Sequence, residues 1–493
     1  MAESDSPSWA WRDWLGVGLV TIAAAALRLV ALGQPAELVF DEIFYAQDAC
    51  IYVAGSEAVC GISDLTSRAH PPLGKWLIGS GIVLLGYDPF GWRIASAVAG
   101  TLTVALVYLL AWRLLRPVAS GGAATLGSVA ASALFATDFL HLVQSRVAML
   151  DVFVALFVVI ATLAVVLDRD RRREGDDQPS LLARLTLGRP WRLLACASLG
   201  AATAVKWSGG YIGLALIGLT IAWEIAARRG PGVSGWRAFG RAFRGEAVPS
   251  VVAFGLVPLL VYIASYTGRM PGELFGPPWQ EGTVWRGIWE HQWAMLEFHV
   301  TLSGNHPYES PPWSWLFLKR PVAYYFEDGG ATYRHILALG NPLLWWGGAL
   351  AVIGVAVAWL RAGAPLSGPE PVVVVGVLST WGPWLVLAGD RDQVFIWYLL
   401  PAIPFLCLAL GVLAARVWEA RRAAWRSVLA AGAAAVVASL VFYAPLLASL
   451  PVAPADWRLR ILFRDCDRPG APTLPLPDDS TSTGPPPEGW CWI

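Results

Sequence analysis

Eleven mostly apolar stretches constrain this chain more than any other feature: 14–33, 91–113, 122–140, 150–167, 192–206, 208–226, 248–267, 342–360, 371–388, 394–415 and 427–449. A helix rising 1.5 Å per residue needs about 20 such residues to cross a hydrocarbon layer roughly 30 Å thick. No water reaches the backbone inside that layer, so each stretch must close its own hydrogen bonds as a helix. An all-α polytopic membrane protein with about 11 transmembrane helices is predicted. The 192–226 pair is short and turns at Lys206-Trp207-Ser208-Gly209-Gly210. A further apolar stretch, 73–85, is too short to span and follows Pro71-Pro72, so it reads as an interfacial or re-entrant helix. The first stretch is too long for the core of a cleavable signal peptide and lacks a small-residue cleavage site.

Composition agrees with this reading. Only 15% of the 493 residues are charged and 56% are hydrophobic, whereas a soluble domain is about 25% charged. So few charges cannot cover the surfaces of several soluble domains. The formal net charge is zero, which argues against a nucleic-acid partner. The 27 Trp residues suit membrane interfaces or sugar binding.

Positive charge near the spans sets their orientation. With the N-terminus cytoplasmic, about half of the 36 basic residues fall on short inner loops, around 168–192, 227–247 and 416–426. The C-terminus is then extracytoplasmic, in the cell (plasma) membrane. This divides the chain into a seven-span N-terminal module (1–267, with an outer loop 34–90), an outer aromatic-rich loop (268–341), a four-span C-terminal module (342–449) and an outer tail (450–493). Cys50 and Cys60 share the first outer loop, and Cys466 and Cys491 share the tail, so two extracytoplasmic disulfides are expected. Cys196 and Cys407 lie in spans as packing residues.

The residues whose chemistry needs an explanation collect at the outer ends of the spans. Phe40-Asp41-Glu42 stands where the chain leaves the first span. Two adjacent carboxylates there can supply a general base or a metal ligand, or simply favour a helix N-terminus. The loop continues through Tyr45 and Asp48 to His70-Pro71-Pro72-Leu73-Gly74-Lys75-Trp76, where Lys75 binds a lipid phosphate or snorkels to headgroups. Arg93 begins the second span, Arg146 and Asp151 flank the start of the fourth, and Lys206 ends the fifth. Charges at membrane depth are costly and face a cavity or a partner. Cations beside one acid suit an anionic lipid headgroup; structural pairing, such as Arg146 with Asp151, is the alternative.

Two further constellations lie on outer loops. The first combines several Trp residues with Glu297-Phe298-His299 and Asn305-His306-Pro307-Tyr308-Glu309-Ser310-Pro311-Pro312-Trp313. It suits sugar stacking or peptide capture, or an aromatic belt resting on the membrane. The spacings of His291, His299 and His306 match no common metal-ligand motif. The second is Gly389-Asp390-Arg391-Asp392-Gln393 before Trp397-Tyr398, in which Arg391 and Gln393 help hold a headgroup or form part of a solvated turn.

In this order and at these topological positions, the motifs resemble those of the dolichyl-phosphate-mannose–protein mannosyltransferases, the protein O-mannosyltransferases, which have the GT-C glycosyltransferase architecture. The resemblance implies inverting transfer of mannose from a polyprenyl-phosphate carrier to Ser or Thr hydroxyls of translocated proteins. It implies Asp41 as base, Glu42 positioning the acceptor or sharing that role, Asp151 as active-site support, and Arg93 and Lys206 as phosphate contacts. Lys75, Arg146, Arg391 and Gln393 complete the candidate donor-binding set. His70, His299, Asn305, His306, Tyr308 and Trp313 form the candidate acceptor or sugar-binding set. The loop after the seventh span is too short for the sugar-binding-like insertion of eukaryotic relatives, so the compact bacterial form is expected. No cofactor is required on this reading; Asp41, Glu42 and Asp151 could bind a divalent cation, which is not favoured. The Sec translocon is a reasonable partner. The rival readings are a GT-C transferase acting on a glycolipid or cell-wall glycan, and a membrane transporter. A transporter would be expected to place its ionisable groups nearer the mid-bilayer.

Overall fold

The structure is a computed structural model that describes residues 9–54, 57–63, 65–173, 189–229, 234–243, 248–266, 284–302, 308–388 and 393–461. Its helices are α1 (Trp11–Leu29), α2 (Glu42–Val53), α3 (Glu57–Cys60), α4 (Leu73–Leu85), α5 (Pro89–Leu115), α6 (Gly121–Ala136), α7 (Phe139–Gln144), α8 (Asp151–Arg173) and α9 (Pro190–Val205). They continue as α10 (Tyr211–Ala227), α11 (Gly235–Ala242), α12 (Val248–Ala264) and α13 (Val284–Thr301). A hairpin of β1 (Val322–Asp328) and β2 (Tyr333–Ala338) precedes α14 (Pro342–Arg361), α15 (Glu370–Leu387), α16 (Ile403–Glu419), α17 (Ala423–Leu447) and α18 (Pro454–Arg460). A helix covers each of the eleven apolar stretches. Among the described residues, seven helices are long and apolar enough to cross a membrane by length and composition.

Local chemistry fixes where the long helices start. Asp88 caps α5 by accepting from Gly91 N at 2.7 Å, with Pro89 in the first helical turn. Asn341 caps α14 in the same way, ahead of Pro342. The chain must break at Lys206, which is extended (φ −147°, ψ 141°) between α9 and a tight 3-10 turn. Gly209 allows that turn to fold back, since a Cβ there would stand 2.3 Å from the Ala202 carbonyl oxygen.

Helix α8 packs between α5 and α9, and α16 packs along α6. The α6–α16 contact joins the two halves of the chain through backbone surfaces. Gly127 and Ala131 on α6 face Gly411 and Ala415 on α16, and a Cβ on Gly411 would lie 2.5 Å from the Gly127 carbonyl. Small residues four apart on both helices permit this approach. Leu15, Leu19 and Ile22 on α1, Leu350, Ile353 and Leu360 on α14, and Val428, Val437 and Val441 on α17 stay exposed, as a lipid-facing rim would be. At the arginine-rich end, Arg189 and Arg192 pair with Asp168, and Arg228 pairs with Glu224.

Over the other end lie α2, α4, α13 and the hairpin. Helix α13 has three faces: Ile288, His291 and Met295 are buried; Trp289, Trp293, Leu296 and Val300 are exposed and apolar; Arg286, Glu290 and Glu297 are exposed and charged. That division suits a helix lying in an interface plane. The hairpin, extended by a single bridge from Tyr333 to Val452, is the departure from an all-helical chain among the described residues. Strand-favouring Tyr324-Tyr325-Phe326 and Tyr333 flank Gly329-Gly330, where Asp328 accepts from Gly330 N and Gly330 takes φ +76°.

Gly411→Leu should force α6 and α16 apart. Overpacking of this kind costs about 1–3 kcal/mol, so a lower thermal unfolding midpoint in detergent is expected; an unchanged midpoint would mean the helices do not meet there.

Candidate active site

The site begins with two adjacent carboxylates that have separate surroundings. Glu42, the first residue of α2, is fully buried. Its Oε1 accepts from Arg93 Nε and Ala148 N, and its Oε2 accepts from Arg93 Nη2 and Val39 N, each at 2.8 Å. Arg93 is buried too, and its remaining donors reach the carbonyls of Leu32, Pro35 and Glu37. The bidentate pair therefore sews together the α1–α2 loop, the start of α5 and the 145–150 turn. It satisfies both charges where desolvation is severe.

Asp41 is not held in that network. It occupies the N-cap position of α2 without making a side-chain cap, and its carboxyl hydrogen-bonds Tyr45 one turn on. Phe40, immediately before it, is left-handed at φ +50°, an uncommon conformation for a non-glycine residue. Its ring stacks on Tyr324 at 4.4 Å and meets the edge of Trp397 at 5.4 Å. Burial raises the Asp41 pKa to about 6; nearby Lys206 and the Tyr45 hydrogen bond oppose the rise, and Asp151 adds to it. Burial beside Asp41 and Asp151 keeps Tyr45 protonated, well above the ordinary tyrosine value.

Asp151 starts α8 and meets Lys206 Nζ at 2.6 Å. Lys206 also sits 5.4 Å from the centroid of the Tyr398 ring. Tyr398 stacks on Trp384 at 4.6 Å, and Tyr324, from the hairpin, accepts from Gln144 Nε2 at 2.6 Å. The N-terminal half thus supplies Asp41, Tyr45, Asp151 and Lys206, while the C-terminal half supplies Tyr324, Trp397 and Tyr398. On the flank, His70 lies 6.0 Å from Tyr45 and 5.7 Å from His299, which neighbours Trp207 at 6.1 Å. The His299 ring contacts the Ala69 carbonyl, and that of His291 the Arg68 carbonyl.

Other expected residues lie elsewhere or are already occupied. Lys75 is buried against Asp48 and the Ser67 carbonyl, and Asp48 also accepts from Thr66 and Ser67, so the pair staples the outer loop to α4. Arg146 closes the C-terminal end of α1, donating to the carbonyls of Leu27, Arg28, Val30 and Ala31; it does not pair with Asp151. Neither cation has the open approach expected of a phosphate contact, and Arg93 has all five N–H groups engaged. Tyr308 is buried, Trp313 is exposed with Lys319 over its ring, and Gln393 N donates to Glu309, joining the two outer loops. Asn305, His306, Arg391, Cys466 and Cys491 lie outside the described residues. Cys50 and Cys60 form a disulfide between α2 and α3, and Cys196 and Cys407 are buried and free. Among the described residues no group of three His, Cys, Asp or Glu side chains is arranged to hold a metal ion.

Comparison with known proteins finds a family match for most of the chain. Residues 18–267 match the dolichyl-phosphate-mannose-protein mannosyltransferase family, and residues 284–465 match the C-terminal four-transmembrane region of protein O-mannosyltransferase. The chain belongs to the protein O-mannosyltransferase family. It is 31% identical over 493 aligned positions to the polyprenol-phosphate-mannose–protein mannosyltransferase of Mycobacterium tuberculosis, covering 91% of each chain. The enzyme of that name from Corynebacterium glutamicum is 30% identical over 452 positions, covering 83% of each. The fold matches a chain of the donor-bound Saccharomyces cerevisiae Pmt1–Pmt2 complex with a TM-score of 0.71 and 15% identity, covering 92% of this chain and 93% of the other. The architecture is therefore GT-C, in a membrane protein.

Tyr324 and Gln144 were not expected at the site. Neither stands in a motif, and only the fold brings them together. Tyr45 and Tyr398 did lie beside conspicuous residues, yet their hydroxyls carried no signal of their own.

The Glu42–Arg93 pair predicts a stability effect. Glu42→Ala leaves a buried guanidinium uncompensated, a loss of about 3–5 kcal/mol, read as a lower thermal midpoint. Arg93→Lys should also lower the midpoint, because an ammonium cannot form the fork. A wild-type midpoint for Glu42→Ala would remove the pair from this role.

Proposed function

We propose that this enzyme transfers mannose from a polyprenyl-phosphate-mannose donor to Ser or Thr hydroxyls of proteins crossing or entering the membrane. The observation that carries the mechanism is a carboxylate outside the structural network, Asp41, beside a lysine–aspartate pair at the mouth of the helix bundle. A hydroxyl nucleophile gives its proton to Asp41 as its oxygen bonds to mannose C1. The C1–O bond to phosphate breaks on the opposite face, and polyprenyl phosphate leaves with inverted stereochemistry at C1. Lys206 Nζ makes one hydrogen bond among the described residues, to Asp151, so it retains donors for the charge developing on the leaving phosphate. Asp151 aims that ammonium, and Glu42 and Arg93 hold the base-bearing loop. A lipid phosphate is a good leaving group once a cation stabilises it, so this reading requires no divalent ion.

The same reading places the site and the C-terminus on the extracytoplasmic side of the plasma membrane, with the arginine-rich end in the cytoplasm. The exposed apolar face of α13 then rests on lipid, and the acceptor enters past His70 and His299. Acceptors in extended form during translocation would make the Sec translocon a natural neighbour.

Purified enzyme incubated with polyprenyl-phosphate-mannose and a Ser/Thr-rich peptide should yield mannosylated peptide, and a chelator should leave the rate unchanged. Transfer only to lipid or glycan acceptors would replace the protein-acceptor reading. Lys206→Met should lower transfer about 10²–10³-fold, as loss of one transition-state donor does. The working form of Asp41 is the carboxylate, and its pKa is raised to about 6. The rate should therefore hold above that pH and fall about tenfold per unit below it; a profile flat to pH 4.5 would contradict this role.

A further inference from the structure

A continuous file of hydrogen bonds joins the turn beside Lys206 to the loop that carries His70. The Trp207 indole Nε1 donates to the Tyr262 hydroxyl at 2.9 Å, and Tyr262 donates to Gln292 Oε1 at 2.6 Å. Gln292 Nε2 donates to the Tyr266 hydroxyl at 2.8 Å. Tyr266 meets His291 Nδ1 at 2.9 Å, and His291 Nε2 meets the Arg68 carbonyl at 2.9 Å. Both ends fix the direction of the file. An indole N–H only donates, so the Tyr262 oxygen receives it and passes its own proton to Gln292. A backbone carbonyl only accepts, so His291 carries its proton on Nε2 and takes the Tyr266 proton on Nδ1. Burial, which lowers the His291 pKa to about 4, keeps the ring in that neutral form. The Gln292 amide therefore has one orientation that suits both neighbours. Its nitrogen also reaches the Ile288 carbonyl at 3.2 Å, where a turned amide would set oxygen against oxygen.

We propose that Gln292 is a positioning residue for mannosyl transfer, holding Lys206 in place through Tyr262 and Trp207. Lys206 directly precedes Trp207, and its backbone is extended at the break between α9 and the 3-10 turn. Within the turn, Gly209 N donates to the Lys206 carbonyl at 2.8 Å. The Trp207 indole is the point at which α12 and α13 grip that turn from outside. Trp76 Nε1, from α4, donates to the Ser265 carbonyl at 3.1 Å and steadies the end of α12 between the two tyrosines. The far end of the file is anchored on the backbone just before His70, whose ring lies 6.0 Å from Tyr45. Helix α13 thus ties the cation side of the reaction centre to its acceptor side. Gln292 bonds to both tyrosines, so its loss parts the file in the middle. This inference rests on the mannosyl-transfer reading for what Lys206 does to the leaving phosphate.

The test is a double-mutant cycle in full-length enzyme in lipid nanodiscs, with kcat for transfer to peptide measured in the wild-type and Lys206→Met backgrounds. Gln292→Leu should lower the wild-type kcat about 10–100-fold, the scale on which a small misplacement of a catalytic group acts. In Lys206→Met the same substitution should change kcat by less than about twofold, because its effect passes through an ammonium already removed. Tyr262→Phe parts the same file with a smaller change of shape. It should show the same pattern, and it carries the test if Gln292→Leu fails to fold. An equal fold-loss in both backgrounds would overturn the proposal, since the file would then support the fold and not Lys206. Wild-type rates in both Gln292→Leu and Tyr262→Phe would overturn it as well. Absence of transfer by the wild-type enzyme, or full transfer by Lys206→Met, would instead remove the reading on which it rests.

Discussion

Glu42 and Arg93 are two charges that can persist beneath the surface of this fold only because each satisfies the other. The carboxylate receives four N–H groups, and the guanidinium is spent between that carboxylate and three backbone carbonyls. Loop, helix start and turn are thereby tied at one point at the bundle mouth. The geometry of the reaction centre descends from that knot. With Glu42 fixed at the first position of α2, Asp41 is turned away from it, because successive helical residues differ by about 100° in direction. One member of the pair faces the network and the other faces the space in front of Lys206.

The same economy governs the other cations near the membrane boundary. Lys75 staples the outer loop through Asp48, and Arg146 caps α1. Both sit where a free charge would be costly, and both are satisfied by the protein. Lys206 differs in making one hydrogen bond among the described residues, to Asp151, where Lys75 donates to both Asp48 and the Ser67 carbonyl. The C-terminal half closes the site with tyrosines and tryptophans, which cover the mouth with apolar area while offering hydroxyls at defined points. The Gly127–Gly411 contact keeps those two halves in register.

The membrane made much of this fold legible in the sequence. Apolar stretches of spanning length could hardly be anything but helices, and every one of the eleven is helical. The 73–85 segment also forms the short helix anticipated for it. The Cys50–Cys60 disulfide, which followed from two cysteines sharing one outer loop, is present. The hairpin at 322–338 was hidden because its aromatic residues read equally well as an interfacial belt. Arg93 and Arg146 were visible as unusual cations, but their acceptors are mostly backbone carbonyls, which no side-chain pattern reveals. For the same reason Asp41 and Glu42 looked like partners in one task until helix geometry separated them. Tyr324 was illegible because its meaning depends on Gln144, 180 residues earlier.

Catalysis by this site depends on the separation of these two carboxylates into a base and a clamp. Mannosyl transfer by Asp41→Asn, measured with thermal unfolding of the same preparation, tests it most directly. The variant should lose transfer by at least 10²-fold, the usual worth of a positioned general base, while unfolding at the wild-type midpoint. Near-normal transfer by a well-folded Asp41→Asn enzyme would contradict the assignment.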